Sequence, residues 1–311
     1  MKRAVLCIAH KSPEQLNVLI KQILADAPET DIYFHIDKKS EKIKDDIMKH
    51  PQVFFIRNNH SITWGDDSTV RMLVDAMSEI VSQGKQYDYF QICTGQDLMV
   101  KRGLDRFLEE NRGKIYLDTS KIERYVKSLL LYSFPKIFQK DLSHNIFLHY
   151  MMIAFTALIR LRLVQKKKVR YDVESVDFYY SFNWSFMPYE VLCYIVTFLK
   201  TNSSFLDMYR NTRLPEDGFL GTLIMNSPYK DAVVWKEGLD YEFLKRGIER
   251  TVSLTFMRNL IGVHPPFLTC EDIVDIENSQ CFMARKFDIA ADSEVVDYFL
   301  KKVIRKESEE Q

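Results

Sequence analysis

The sequence has no Gly-x-Gly-x-x-Gly run and no Walker-type phosphate loop. Nicotinamide dehydrogenases and P-loop enzymes are disfavoured on that ground, because both need glycines where backbone closely approaches a phosphate. The seven histidines show no ligand spacing, and the five cysteines (Cys7, Cys93, Cys193, Cys270 and Cys281) include no Cys-x-x-Cys pair. No zinc signature is present. Odd in number, widely spaced and partly set in apolar runs such as Val5-Leu6-Cys7-Ile8, the cysteines read as buried free thiols of a reducing compartment. Net charge is lacking too: 43 basic residues balance 43 acidic ones, so no nucleic-acid partner is expected. Met1-Lys2-Arg3 leads into an apolar stretch too short for a secretory signal core. The most apolar later stretch, residues 150–159, is about half the length a bilayer demands. The expectation is a cytoplasmic protein, with peripheral contact to the inner face of a membrane left open.

What is present is alternation. Residues 4–9, 31–36, 53–56, 87–93 and 115–117 read as strands, and residues 67–81 and 104–111 as helices between them. Ser12-Pro13-Glu14-Gln15 reads as an N-cap, a proline at the first helical position and a capping-box Gln, opening a helix to about residue 25. A charged helix is expected after His35-Ile36-Asp37-Lys38-Lys39-Ser40. The pattern predicts an α/β fold, with a mostly parallel central sheet and helices on both faces. Ligands of such sheets sit at the carboxyl ends of the strands. The polar clusters His10-Lys11, Asp37 and Gly95-Gln96-Asp97 fall at those ends. Residues 123–177 turn helical and irregular, and hold an apolar segment, 146–163. Between positions 160 and 170 stand six basic residues and no acid. Further helices are expected at 190–201, 218–225 and 293–305. No internal repeat and no Gly/Ser-rich linker divides the chain.

Six segments in register carry a family likeness. They are Ile8-Ala9-His10-Lys11-Ser12-Pro13, His35-Ile36-Asp37-Lys38-Lys39-Ser40, and Thr63-Trp64-Gly65 with Ser68. The others are Gly95-Gln96-Asp97-Leu98, Leu214-Pro215-Glu216-Asp217-Gly218-Phe219, and Ala284-Arg285-Lys286-Phe287-Asp288. Together they resemble the core-2/I-branching β1,6-N-acetylglucosaminyltransferase family, which also contains the peptide xylosyltransferases. Animal relatives carry a membrane anchor and a stem before the catalytic domain; their absence here suits a bacterial-type, cytosolic member. The resemblance implies a GT-A-like fold forming one glycosyltransferase domain over residues 1–311. Within it, 1–120 would be the nucleotide-binding half, 121–177 a helical insertion and 178–311 the acceptor and catalytic half. The implied reaction is an inverting transfer from a UDP-sugar donor, N-acetylglucosamine by default, to a glycan acceptor, free or lipid-linked. No cofactor beyond the donor is implied.

Most GT-A enzymes hold a divalent cation on an Asp-x-Asp, but none occurs in this chain, and only Asp97 stands at the expected place. The resemblance therefore implies metal-independent transfer, with Asp97 in the donor site and the Arg285-Lys286 pair stabilising the leaving diphosphate. Lys286 matches the family lysine that contacts the diphosphate. His10 and Asp37 match positions lining the uridine site, and Trp184 a position that could stack on a sugar. The family's second diphosphate contact has no clear match among Val263, His264 and Arg258. A sugar hydroxyl needs a base to take its proton. The family's Asp-Glu order is swapped here to Glu216-Asp217, so register puts the base on Asp217, with Glu216 sharing the role as the alternative. Without the resemblance, these acids would read as helix-terminal charges, Asp37 as a turn residue and Arg285-Lys286 as an exposed loop pair. UDP-xylose or another UDP-hexose remains an alternative donor. A glycosidase is disfavoured, since hydrolysis needs no nucleotide site. A catalytically inactive glycan- or membrane-surface-binding protein stays open.

Overall fold

A computed structural model describes residues 1–121, 123–142, 145–234, 253–258 and 265–305. Strands β1 (Arg3–Ala9), β2 (Asp31–Ile36), β3 (Val53–Phe55) and β4 (Tyr89–Thr94) run parallel in the order β3-β2-β1-β4. β2 is buried along its whole length and β1 nearly so, as apolar runs covered on both faces must be. Helix α1 (Pro13–Asp26) packs through Leu16, Leu19, Ile20 and Ile23, and α2 (Ser68–Ser82) through Val70, Leu73, Met77 and Ile80. The expected capping box does not form: Ser12 sits at φ 55 with no side-chain cap. Gln15 instead donates to the carbonyls of Gly95 (2.8 Å) and Phe287 (3.2 Å) and accepts from the Ile289 N–H (2.9 Å). Buried tertiary groups that water cannot reach outcompete the local bond. The expected charged helix is a pair of 3-10 turns over Lys38–Asp46, broken at Ser40, with nothing buried to hold an α-helix.

The other half of the sheet makes it mixed. β6 (Ile115–Ser120) and the short β8 (Val233–Val234) pair in parallel, and β7 (Tyr180–Pro188) lies between β4 and β6, antiparallel to both. The mostly parallel sheet expected from the alternation is thus met in part. β6 ends at the same edge at which β7 begins, so the chain re-enters the sheet from its carboxyl edge and must descend. A second sheet, in the order β5-β10-β9, joins β5 (Asp97–Met99), β9 (Thr255–Met257) and β10 (Met283–Arg285).

The remaining α-helices among the described residues are α3 (Leu104–Glu110), α4 (Glu123–Leu130), α5 (Ile146–Arg160), α6 (Tyr189–Thr201), α7 (Phe219–Met225), α8 (Ile273–Asn278) and α9 (Ser293–Ile304). One apolar core, on one face of the main sheet, draws on α2, α6 and α7; a second gathers α1, α9 and the smaller sheet. A small third cluster, around Phe134, Phe138, Leu142 and Ile159, anchors α5. Cys7, Cys93 and Cys281 are buried free thiols as expected, whereas Cys270 is exposed. Among the described residues, no helix is long and apolar enough to cross a membrane.

Candidate active site

The sheet topology brings nearly every motif to one edge. His10 follows β1, Asp37 follows β2, Trp64 lies between β3 and α2, and Asp97 follows the turn after β4. Because β7 is antiparallel, its first half, with Trp184, lies at that edge too. The 3-10 turn Pro215–Gly218, carrying Glu216 and Asp217, packs against β7. α7 follows it, and the Gly221 N–H donates to Ser181 Oγ at 2.8 Å.

Asp97 is the centre of a buried network. Its carboxylate, fully buried, accepts from the Thr94 N–H (2.6 Å), Thr94 Oγ1 (3.1 Å), Trp184 Nε1 (2.9 Å) and Arg285 Nη1 (3.2 Å). The Arg285 guanidinium also lies 3.8 Å over the Trp184 ring. Burial pushes the Asp97 carboxyl up despite Arg285, and pushes the Arg285 guanidinium down despite Asp97. Desolvation therefore outweighs the mutual attraction of the pair. The arginine expected on a diphosphate is engaged by Asp97, and it covers one face of the tryptophan expected to stack on a sugar. The turn that presents Asp97 leaves no room for a side chain at Gly95, where a Cβ would lie 2.7 Å from Leu16 Cδ2 and 3.0 Å from Ala9 Cβ.

Lys286 belongs to a different group. Its ammonium is 4.9 Å from the Phe267 ring centroid, and that of Lys11 is 5.6 Å from the same ring. Lys11 also pairs with Asp288 at 2.5 Å, tying the first motif to the last. Partial burial lowers the Lys286 pKa, and the positive charges of Arg285 and Lys11 lower it further. Beside them, His10 is held below its ordinary value by desolvation and then by Lys11, with Asp37 opposing. Asp288 offsets part of this positive charge, and a further anion would offset more of it. Asp37 itself is a loop organiser: its oxygens accept from the Lys39 N–H (2.8 Å) and the Ile62 N–H (3.2 Å). Arg258 is engaged by Asp272 and Asp275, and Val263 and His264 lie outside the described residues.

The acids sit apart from this cationic group in chemistry as well as in sequence. Glu216 is buried, and its Oε2 has no hydrogen-bond partner among the described residues; Asp217 is half-buried. Burial raises both pKa values, that of Glu216 further through Asp217 and against the pull of Arg213 on each. Both carboxyls are thus pushed above the ordinary carboxylate range, chiefly because burial penalises their charged forms. Arg213, two residues before Pro215, donates to the carbonyls of Phe138 (2.5 Å) and Lys140 (3.1 Å) and lies 5.8 Å from the Trp64 ring. The Leu214 N–H donates to the Gly65 carbonyl (3.0 Å), so the Trp64-Gly65 motif is the frame behind the two acids. Gly65 sits at φ 95, where a side chain is strained.

Sequence reasoning passed over Arg213 and Thr94, and gave Lys11 no role. Arg213 borders a motif and could have been noticed there; Thr94 and Phe267 act only through tertiary neighbours. Among the described residues, no group of three or more His, Cys, Asp or Glu side chains could hold a metal ion.

No protein-family profile matches the chain. An alignment of 120 positions that covers 36% of the chain is 28% identical to the xylosyltransferase oxt of Drosophila pseudoobscura pseudoobscura. The match spans 13% of that relative's length. The chain is thus similar, over about a third of itself, to part of a glycosyltransferase.

Proposed function

We propose that this chain is a glycosyltransferase of the core-2/I-branching type, moving a sugar from a UDP-sugar to a glycan hydroxyl with inversion and without a metal ion. The observation that carries the reading is the half-buried Asp217, its pKa raised beside Glu216, at the sheet edge that also bears the Lys11–Lys286 group. The partial likeness to a xylosyltransferase supports the same reaction class. A base is most effective when its pKa approaches the working pH. In this reading Asp217 takes the acceptor proton because it is the more accessible of the two acids. The freed oxygen attacks the anomeric carbon as its bond to UDP breaks, inverting the configuration. Lys11 and Lys286 then meet the charge left on the diphosphate. Arg285 acts behind them, holding Asp97 and Trp184.

Residues 1–120 would carry the nucleotide and 178–311 the acceptor and base, in one GT-A-like domain. N-acetylglucosamine is the first donor to test, and UDP-xylose the second, given the relative. The experiment is a screen of UDP-sugars with mixed glycan acceptors, reading UDP release in excess EDTA and again with manganese. Release in EDTA with one donor is expected. Strict dependence on manganese would overturn the metal-free mechanism, and UDP binding without turnover on any acceptor would leave a binding protein.

A further inference from the structure

Helix α5 packs on its own domain with one side only. Leu148, Met152, Phe155 and Ile159 face the cluster around Phe134 and Phe138. The opposite side carries Ile146, Phe147, Tyr150, Met151, Ile153 and Leu158, all exposed, with Phe147 70% and Tyr150 63% accessible. At 100° per residue these side chains and Leu161 span an arc of about 160°, along a helix about 22 Å long. No charged residue interrupts the arc before Arg160. Leu161 and Leu163 extend it at 68% and 70% exposure. A single-domain surface rarely leaves so continuous an apolar patch in water.

The segment behind α5 tells what covers it. From 142 to 171 the sequence holds no acid. Of its six cations, Lys167 is drawn inward onto the carbonyls of Met208 and Arg210, both at 2.8 Å, and Arg170 pairs with Asp207. Arg160, Arg162, Lys166 and Lys168 stay exposed at the end of the apolar arc. A second copy docked here by a twofold axis would set each cationic segment against either its twin or the N-terminal end of the partner's α5, and residues 142–171 offer it no acid in either arrangement. We infer that α5 lies in the plane of an anionic lipid surface, its exposed arc among the acyl chains and the four cations at the headgroup phosphates. The protein body takes the place of the polar face such helices otherwise present to water. The inference is independent of the transfer reaction proposed above.

The test is flotation of the full chain with vesicles of phosphatidylcholine alone, or mixed in equal parts with phosphatidylglycerol, at low and high salt. Flotation with the anionic vesicles only, reduced by salt, is expected. Replacing Arg160, Arg162, Lys166 and Lys168 by Gln should lower partitioning about fivefold per charge removed. The exposed pair Phe147→Glu and Leu161→Glu should abolish flotation while leaving UDP binding and far-UV circular dichroism unchanged. If that pair does not fold, Ile146→Ser with Leu163→Ser serves instead. Wild type that stays unbound, or an apolar variant that floats as well as wild type, overturns the inference. So does a lipid-free dimer that the apolar variant dissociates, since a second copy would then cover the helix.

Discussion

Replacing Asp97 by Asn tests the buried network most directly. The side chain keeps its size and can still accept from Thr94 or Trp184, but its charge is lost. Arg285, 8% exposed and 3.2 Å away, would then be a buried cation without its counter-charge. Removing one partner of a buried pair costs about 3–5 kcal/mol, against a total of about 5–15 kcal/mol for an ordinary domain. The same cost is expected for Arg285→Met, which strands the carboxylate. Because removing both charges together leaves neither one stranded, the double variant should lose much less than the sum. A coupling of about 2 kcal/mol or more separates a stranded charge from a merely lost contact. Equilibrium unfolding in urea, followed by tryptophan fluorescence and read as midpoint shifts at constant slope, measures all three variants. An Asp97→Asn protein within about 0.5 kcal/mol of wild type, or strictly additive variants, would refute the argument.

Three further outcomes follow from the site. Asp217→Asn should lower turnover at least about 100-fold with little change in UDP affinity, and Glu216→Gln should cost less; the reverse order in steady-state kinetics would make Glu216 the base. If Asp217 is the base, activity should climb with pH through a limb well above the ordinary carboxylate range, because its raised carboxyl must lose its proton to act. The stability contribution has the opposite sign. Raised native pKa values favour the fold below the ordinary carboxylate range, and the benefit fades as pH rises through them, by up to about 1.4 kcal/mol per pH unit per group. Glu216→Gln should flatten that decline in a pH series of unfolding midpoints. Finally, Lys286→Ala should weaken UDP binding and slow transfer together, and Lys11→Ala likewise, whereas Arg285→Ala should act through stability; calorimetric UDP titrations beside melting curves distinguish the two effects.

The sequence by itself determined the local elements whose signals are self-contained. Continuous apolar runs marked β1 and β2, a 3.6-residue period marked α2, and a proline marked the start of α1, because each pattern reports burial of its own residues. It also placed His10, Asp37 and Asp97 at strand ends, since a strand pattern stops where the backbone turns. Tertiary structure decided what those residues touch. Nothing local distinguishes Arg285 from Lys286, yet one is drawn 3.2 Å from Asp97 and the other stands beside Phe267. The alternation of aromatic and polar residues in Tyr180-Ser181-Phe182-Asn183-Trp184-Ser185-Phe186 is a strand signal that the sequence reading passed over, whereas the antiparallel pairing of β7 with β4 and β6 comes only from the return of the chain. Gln15 shows the same division within one residue. Its spacing from Ser12 fits a capping box, but the carbonyls of Gly95 and Phe287 are buried beside it, and a buried acceptor left unpaired costs more than a helix end open to water.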